Sequence, residues 1–201
     1  MKVVIIKYNA GNVQSVRYAL QRLGVEPDIT NDPESILNAD KVIFPGVGNA
    51  ATAMQYLKEH QMDILIKSLK QPVLGICLGL QLLCSRTEEG NTPCLNIFNT
   101  NIKIFEALPN ALNLSQNKIP QVGWNNIFDL RSPLFKNVDN DAYVYYVHTY
   151  YAELSSLTIA KTNYLIPYSA ALQRDNFYAV QFHPEKSGEK GQQIIQNFLD
   201  L

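Results

Sequence analysis

Pro72-Val-Leu-Gly-Ile-Cys-Leu-Gly-Leu-Gln-Leu-Leu83 is the stretch on which the reading of the fold turns. A short β-rich run, residues 73–76, stops at Cys77, and an apolar, helix-favouring segment begins immediately after it. Gly75 and Gly79 stand two residues before and two after the cysteine, the nucleophile-elbow pattern with Cys in place of Ser. A sharp strand-to-helix turn needs residues without a Cβ on either side, where ordinary side chains would clash. The turn also sets the sulfur at a helix N-terminus, whose unpaired N–H groups and dipole favour a thiolate. The plain alternative is a core cysteine, since free Cys is among the most buried residue types. The flanking glycines and the polar Gln81 one turn later count against it.

Composition bounds the rest. The 201 residues suit a single domain spanning 1–201, large enough to bury its own core. A formal net charge of −1 offers no electrostatic reason to expect nucleic acid or an anionic membrane as partner. Three cysteines without CxxC spacing fit neither a disulfide framework nor a zinc site. The odd thiol count points to a reducing compartment. The apolar run in Met1-Lys-Val-Val-Ile-Ile-Lys7 is too short for a signal peptide, and no segment approaches a membrane span. A cytoplasmic protein without metal or cofactor is expected.

Taken in order, the first half alternates strand and helix. Val3–Ile6 is a continuous apolar run, as for a strand buried on both faces. The loop Tyr8-Asn-Ala-Gly-Asn12 follows, and Asn12 is a candidate N-cap for a helix through Leu23, with Val13, Val16, Leu20 and Leu23 as its buried stripe. Gly24 ends it. A short strand over 26–30 precedes the helix-start signal Asp32-Pro33-Glu34. Residues 41–44 read as a third strand and Pro45-Gly-Val-Gly48 as its loop, followed by helices over about 50–60 and 63–69. Such alternation implies βαβ units, a mainly parallel open sheet in three layers with a flavodoxin-like core, and a site at strand C-terminal ends. From about Leu95 strand-like runs dominate, at 102–105, 121–128, 143–151, 157–162, 169–174 and 177–182. Asn110, Asn125-Asn126, Asp139-Asn-Asp141 and Asp175-Asn176 read as turns, so an antiparallel extension of the same sheet is expected. An amphipathic helix over 189–199 closes the chain.

A Cys nucleophile needs a base and a group that orients the base. His60 lies among Lys58, Glu59 and Gln61 and reads as solvated. His148, inside Tyr145-Tyr-Val-His-Thr-Tyr-Tyr151, reads as a core histidine bonded to backbone. His183 closes the apolar run 178–182 and is followed by Pro184 and Glu185; on extended chain residues two apart share a side, so His183 and Glu185 form the candidate base and orienter. A strand-end histidine with a surface carboxylate nearby is the bland alternative. In Pro45-Gly-Val-Gly48, two glycines let backbone N–H groups turn toward the reacting centre or flip away from it, an ordinary βα turn being the plain alternative. The N–H groups of Val47 and of Leu78, the residue after the nucleophile, would then make an oxyanion hole.

These residues carry a family resemblance. Gly75-Ile-Cys-Leu-Gly-Leu-Gln81, Pro45-Gly-Val-Gly48 and Gln181-Phe-His-Pro-Glu-Lys-Ser-Gly188 resemble the class I (triad) glutamine amidotransferases. Gly123-Trp-Asn125, Val147-His-Thr-Tyr-Tyr151 and His-Pro-Glu-Lys-Ser-Gly narrow the resemblance to the glutaminase subunits of imidazole glycerol phosphate synthases. The resemblance implies that Cys77 attacks the glutamine side-chain amide, that His183 shuttles the proton and that Glu185 holds the imidazole. It puts Gly48, Gln81, Glu89, Thr149 and Tyr150 at the substrate's amino-acid end. It further implies a heterodimer with a (β/α)8-barrel cyclase that uses the ammonia in histidine biosynthesis, with Trp124, Tyr145 and Lys186 near that interface. An amidotransferase serving another acceptor, and a non-catalytic subunit that keeps the fold, are the competing readings. The intact Cys, His and Glu set opposes the last, and motifs beyond the needs of glutamine hydrolysis oppose the other.

Overall fold

The computed structural model describes residues 1–9, 11–106 and 118–201. Ala10 and the turn signal at Asn110 lie outside them. The first half runs β1 (Val3–Ile6), α1 (Val13–Arg22), β2 (Asp28–Thr30), α2 (Pro33–Leu37), β3 (Lys41–Gly46), α3 (Ala50–Glu59), α4 (Met62–Ser68), β4 (Val73–Cys77) and α5 (Leu78–Leu83). It continues through β5 (Arg86–Thr87), β6 (Thr92–Pro93), β7 (Asn101–Ile104), β8 (Gln121–Ile127), β9 (Ala142–His148), β10 (Tyr150–Ala152), β11 (Thr158–Tyr164), β12 (Ile166–Arg174), β13 (Phe177–Val180) and α6 (Gly188–Asp200).

The main sheet has the order β2-β1-β3-β4-β13-β12-β10-β7-β5-β6, with β11 also paired to β12. Strands β2, β1, β3, β4 and β13 are mutually parallel, and β12 begins the antiparallel extension. The expected α/β architecture is therefore present. Alternate residues of each buried strand serve opposite layers. Val3, Ile5, Ile43 and Leu74 pack with Val16 and Leu20 of α1 and Ile194 and Phe198 of α6. Val4, Ile6, Val42 and Val73 pack with Ile36 of α2, Leu57 of α3 and Ile66 of α4.

Several local expectations change. Asn12 precedes α1, but its side chain caps no backbone N–H; it accepts the Ser15 hydroxyl at 2.9 Å. Asp32 does cap α2, accepting from Ser35 N at 2.8 Å. β3 continues through Pro45 and Gly46 instead of ending at Phe44. The β1 ladder stops at Ile5↔Ile43, so no strand on that side requires an N–H from Pro45. The single run at 143–151 is two strands broken at Thr149, because the chain changes sheets there: β9 pairs β8, whereas β10 pairs β7 and β12. The two strands β8 and β9 thus form a separate ribbon and not part of the extension. Asn125 and Asn126 are not a turn but lie within β8, where their side chains reach Asn163 O and Asp141 Oδ1, each at 3.0 Å.

Two glycines show different physical demands. A Cβ on Gly79 would collide with the backbone carbonyl of Phe44 on β3. Gly24, after α1, has a φ of +77° and open space around it. In urea unfolding, Gly79→Ala should cost about 3 kcal/mol by overpacking, and Gly24→Ala about 1 kcal/mol by left-handed strain alone.

Candidate active site

Cys77 is the last residue of β4 and its successor begins α5. Its φ of +55° and ψ of −107° are those of a non-glycine residue held in a sparsely populated region by its surroundings. Gly75 and Gly79 permit this by closeness and not by unusual φ. A Cβ on Gly75 would lie 2.7 Å from Leu83 Cδ1, and one on Gly79 would enter the Phe44 carbonyl. The turn leaves the cysteine only 6% exposed, against a cavity of about 300 Å³.

His183 and Glu185 are joined through Nδ1 and Oε1 at 2.8 Å, with both residues buried. The expected strand-end geometry is corrected: β13 ends at Val180, and Glu185 belongs to a 3₁₀ turn at Pro184–Lys186. A tight turn, and not a strand repeat of two, brings the pair together. Burial pushes the His183 ring down, but neighbouring Cys77 and Glu185 outweigh it and raise it to about 10. The ring is therefore held as imidazolium at neutral pH, beside a thiol it can polarise. Its backbone is also anchored: His183 N donates to Tyr145 O at 2.8 Å, and Ser187 Oγ donates to His183 O at 2.6 Å.

The cavity is lined by Val47, Gly48, Cys77, Leu78, Gln81, Glu89, Pro120, Val147, His148, Thr149 and Tyr150. Each residue proposed from sequence for the oxyanion and substrate roles is thus on its wall. His183 and Glu185 are not; they stand behind the sulfur. Gly46 pairs with Cys77, so Val47 leaves the sheet beside Leu78. Glu89 Oε2 accepts the Ala50 N–H at 2.7 Å, which fixes one carboxylate oxygen at the start of α3. The cavity wall thus carries backbone amides at the elbow, an amide side chain and a carboxylate, without any group of three or more metal-ligating side chains among the described residues.

His148 has the structural role expected of it. Nδ1 bonds Tyr150 O at 2.7 Å and Nε2 bonds the Tyr168 hydroxyl at 3.1 Å. Burial pushes its pKa down to about 4, so it is a neutral ring that braces the wall. His60 is exposed and stacks on Tyr56. Two residues near the cysteine were not singled out from sequence. Tyr8, just past β1, donates to Pro45 O at 2.8 Å and so holds the strand that leads to Val47. Its position after a strand C-terminus was the available signal. Gln181 is fully buried beside Cys77, and a polar residue inside the apolar run 178–182 was the signal there.

Trp124, Tyr145 and Lys186 lie away from the cavity. Trp124 and Tyr145 are opposite each other on β8 and β9, with ring centroids 6.0 Å apart. They belong to an outward apolar face with Val122, Tyr143 and Val147, and Trp124 is 56% exposed. Lys186 is exposed in the His183 turn. Among the described residues no helix is long and apolar enough to cross a membrane.

Relatives match over the full chain. The "Imidazole glycerol phosphate synthase subunit HisH" of Bacteroides fragilis strain YCH46 is 59% identical, with all of both chains covered. The protein of the same name from Escherichia coli K12 is 43% identical, again with both chains covered entirely. Among solved structures, a glutamine amidotransferase superposes with a TM-score of 0.73 at 16% identity, covering 98% of this chain and 97% of that one. The PurLQS structure from Thermotoga maritima gives 0.68 at 16% identity, covering 99% and 97%. These two share the fold. The family model "Glutamine amidotransferase class-I" matches residues 4–201, and the chain belongs to that family.

Proposed function

We propose that the chain is the glutaminase subunit of an imidazole glycerol phosphate synthase, a cytoplasmic enzyme with a single amidotransferase domain over residues 1–201. The observation that carries this reading is the buried His183–Glu185 pair set against an elbow cysteine, at a cavity that also presents Gln81 and Glu89. The names of the full-length relatives support the particular acceptor reaction.

In this mechanism the Cys77 thiolate attacks the carboxamide carbon of glutamine, and the carbonyl electron pair moves onto oxygen. The N–H groups of Val47 and Leu78 receive that oxyanion. Imidazolium His183 gives its proton to the nitrogen, the C–N bond breaks, and ammonia leaves a thioester on Cys77. Neutral His183 then takes a proton from water, which attacks the thioester and releases glutamate. Glu185 holds the ring in one tautomer and stabilises its charge. Gly48, Gln81, Glu89, Thr149 and Tyr150 hold the amino-acid end, with the Glu89 carboxylate suited to the α-ammonium.

Ammonia passes to a (β/α)8-barrel cyclase in a heterodimer, which forms imidazole glycerol phosphate and an aminoimidazole carboxamide ribotide. The exposed ribbon face with Trp124 and Tyr145, flanked by Lys186, is the docking surface in this reading. Exposed aromatics suit such a face. Tyr145 supports coupling between surface and site, since its backbone bonds both the His183 N–H and the Ser187 hydroxyl.

Ammonia release from glutamine, measured with and without the cyclase, tests the assignment. The isolated chain should turn over weakly and rise strongly with the cyclase and its nucleotide ligand; full turnover indifferent to the partner would contradict the reading. Cys77→Ala should lower glutamine turnover by roughly 10³-fold or more and leave synthesis from added ammonia intact in the complex. Surviving glutamine turnover would show that the elbow is not the nucleophile.

The catalytic pair also sets a pH dependence. His183 is raised above its unfolded value, so its stabilising contribution is complete below about 6.5 and is lost as pH climbs toward about 10. Glu185→Gln removes one of the two groups that raise it, so melting temperature should begin to fall at a lower alkaline pH than in the parent. A melting series from pH 7 to 10.5 with coincident curves for both proteins would refute this. Turnover in the same variant should drop by roughly 10²- to 10⁴-fold.

A further inference from the structure

We infer that Gln181 is a positioning residue for the Cys77 thiolate, donating an amide N–H to the sulfur while orienting Gln81 toward the bound amino acid. The inference deepens the glutaminase reading and rests on it. Gln181 follows β13, is fully buried, and has its backbone N–H bonded to Ala170 O at 2.8 Å. A buried amide is costly unless its donors and acceptor are used.

The orientation of both amides is determined by one acceptor. Tyr150 O can only accept, and Gln81 Nε2 lies 3.2 Å from it. The Gln81 nitrogen is thereby located, and the atom of Gln181 at 3.2 Å from that same nitrogen must be the oxygen. The other end of Gln181 is then the NH₂, which lies 3.7 Å from Cys77 Sγ. With both hydrogens of the Gln81 nitrogen engaged, its Oε1 is the end left for the cavity that Gln81 lines.

The sulfur consequently has two polar neighbours of opposite kind. Val147 O, at 3.9 Å, can serve only a protonated thiol, as acceptor of S–H. The Gln181 N–H serves the anion, and hydrogen bonds to ionised acceptors are the stronger kind. Deprotonation exchanges one partner for the other without moving the backbone. The titratable groups facing the sulfur are His183, Tyr8 and Tyr168, with Glu185 behind the histidine. Burial above all, with the Cys77 charge at Tyr8 and Tyr146 at Tyr168, keeps both tyrosines neutral, so they add no charge beside the sulfur. Gln181 adds a fixed donor that does not titrate.

The test is iodoacetamide alkylation of the full-length chain as a function of pH, scored at the Cys77 peptide by mass. Cys84 and Cys94 are buried and report separately. Gln181→Met, which keeps the volume and removes the donor, should raise the alkylation midpoint by about one pH unit or more. Gln181→Glu, close in shape, turns a carboxylate toward the sulfur and should raise it further. Midpoints unchanged in the folded variants overturn the proposal; if Gln181→Met does not fold, an unshifted Gln181→Glu profile alone overturns it. The readout uses no glutamine. Turnover surviving in Cys77→Ala would refute the glutaminase reading, whereas an unshifted midpoint refutes only the role given to Gln181.

Discussion

Helix α5 lies against β3 at a separation that only the hydrogen of Gly79 allows. The Phe44 carbonyl occupies the space a side chain would need. That approach forces the chain to reverse within a single residue, and Cys77 takes the strained φ of +55° that results. Everything at the site follows from the reversal. The sulfur faces the cavity, the Leu78 N–H begins a helix beside it, and Gln81 arrives one turn later on the same wall. The strain is borne by a helix whose six residues are all buried, so its packing holds the turn closed.

Strand β9 is the second organising element, because it belongs to two surfaces at once. Its inward residues Val144, Tyr146 and His148 are buried, while Tyr143, Tyr145 and Val147 alternate outward. Yet its backbone touches the candidate site directly: Val147 O faces the Cys77 thiol, and Tyr145 O accepts from His183 N. A load on the outer face would therefore act on both Cys77 and His183 through hydrogen bonds, with no intervening loop. The buried tyrosines and His148 behind β9 form a hydrogen-bonded polar layer, with Tyr146 bonded to Thr162 and Tyr168 to Gln121. Such layers resist deformation, since each broken bond leaves a buried polar group unpaired.

Charge inside the site is handled by pairing and by fixed dipoles. The imidazolium of His183 is compensated by Glu185 at 2.8 Å, and an isolated charge at that depth would be far more costly. Around the sulfur the remaining donors are neutral amides and a helix start. The arrangement surrounds Cys77 without a second cation that would have to be desolvated.

Much of this was legible in the residues because it is local. The elbow glycines, the Asp32 cap, the apolar runs of the parallel strands and the amphipathic stripe of α6 each depend on neighbours within a few positions. The residues of the proposed triad also stand out in sequence, since a cysteine between glycines and a histidine two residues from a carboxylate are unusual. What escaped was set by contacts distant in sequence. The break at Thr149 arises because β9 and β10 find partners in different sheets, and no pattern within residues 143–151 encodes that choice. The continuation of β3 through Pro45 depends on where the β1 ladder ends. Tyr8 and Gln181 gained their places only when strands 37 and 104 residues away brought Pro45 and Cys77 beside them. Sequence alone determined which chemical groups the chain carries and the local signals, such as the elbow glycines and the Asp32 cap, that neighbours within a few positions set. Tertiary structure decided which of those groups meet, because a hydrogen bond is selected by proximity in space and the chain's periodicity is blind to it.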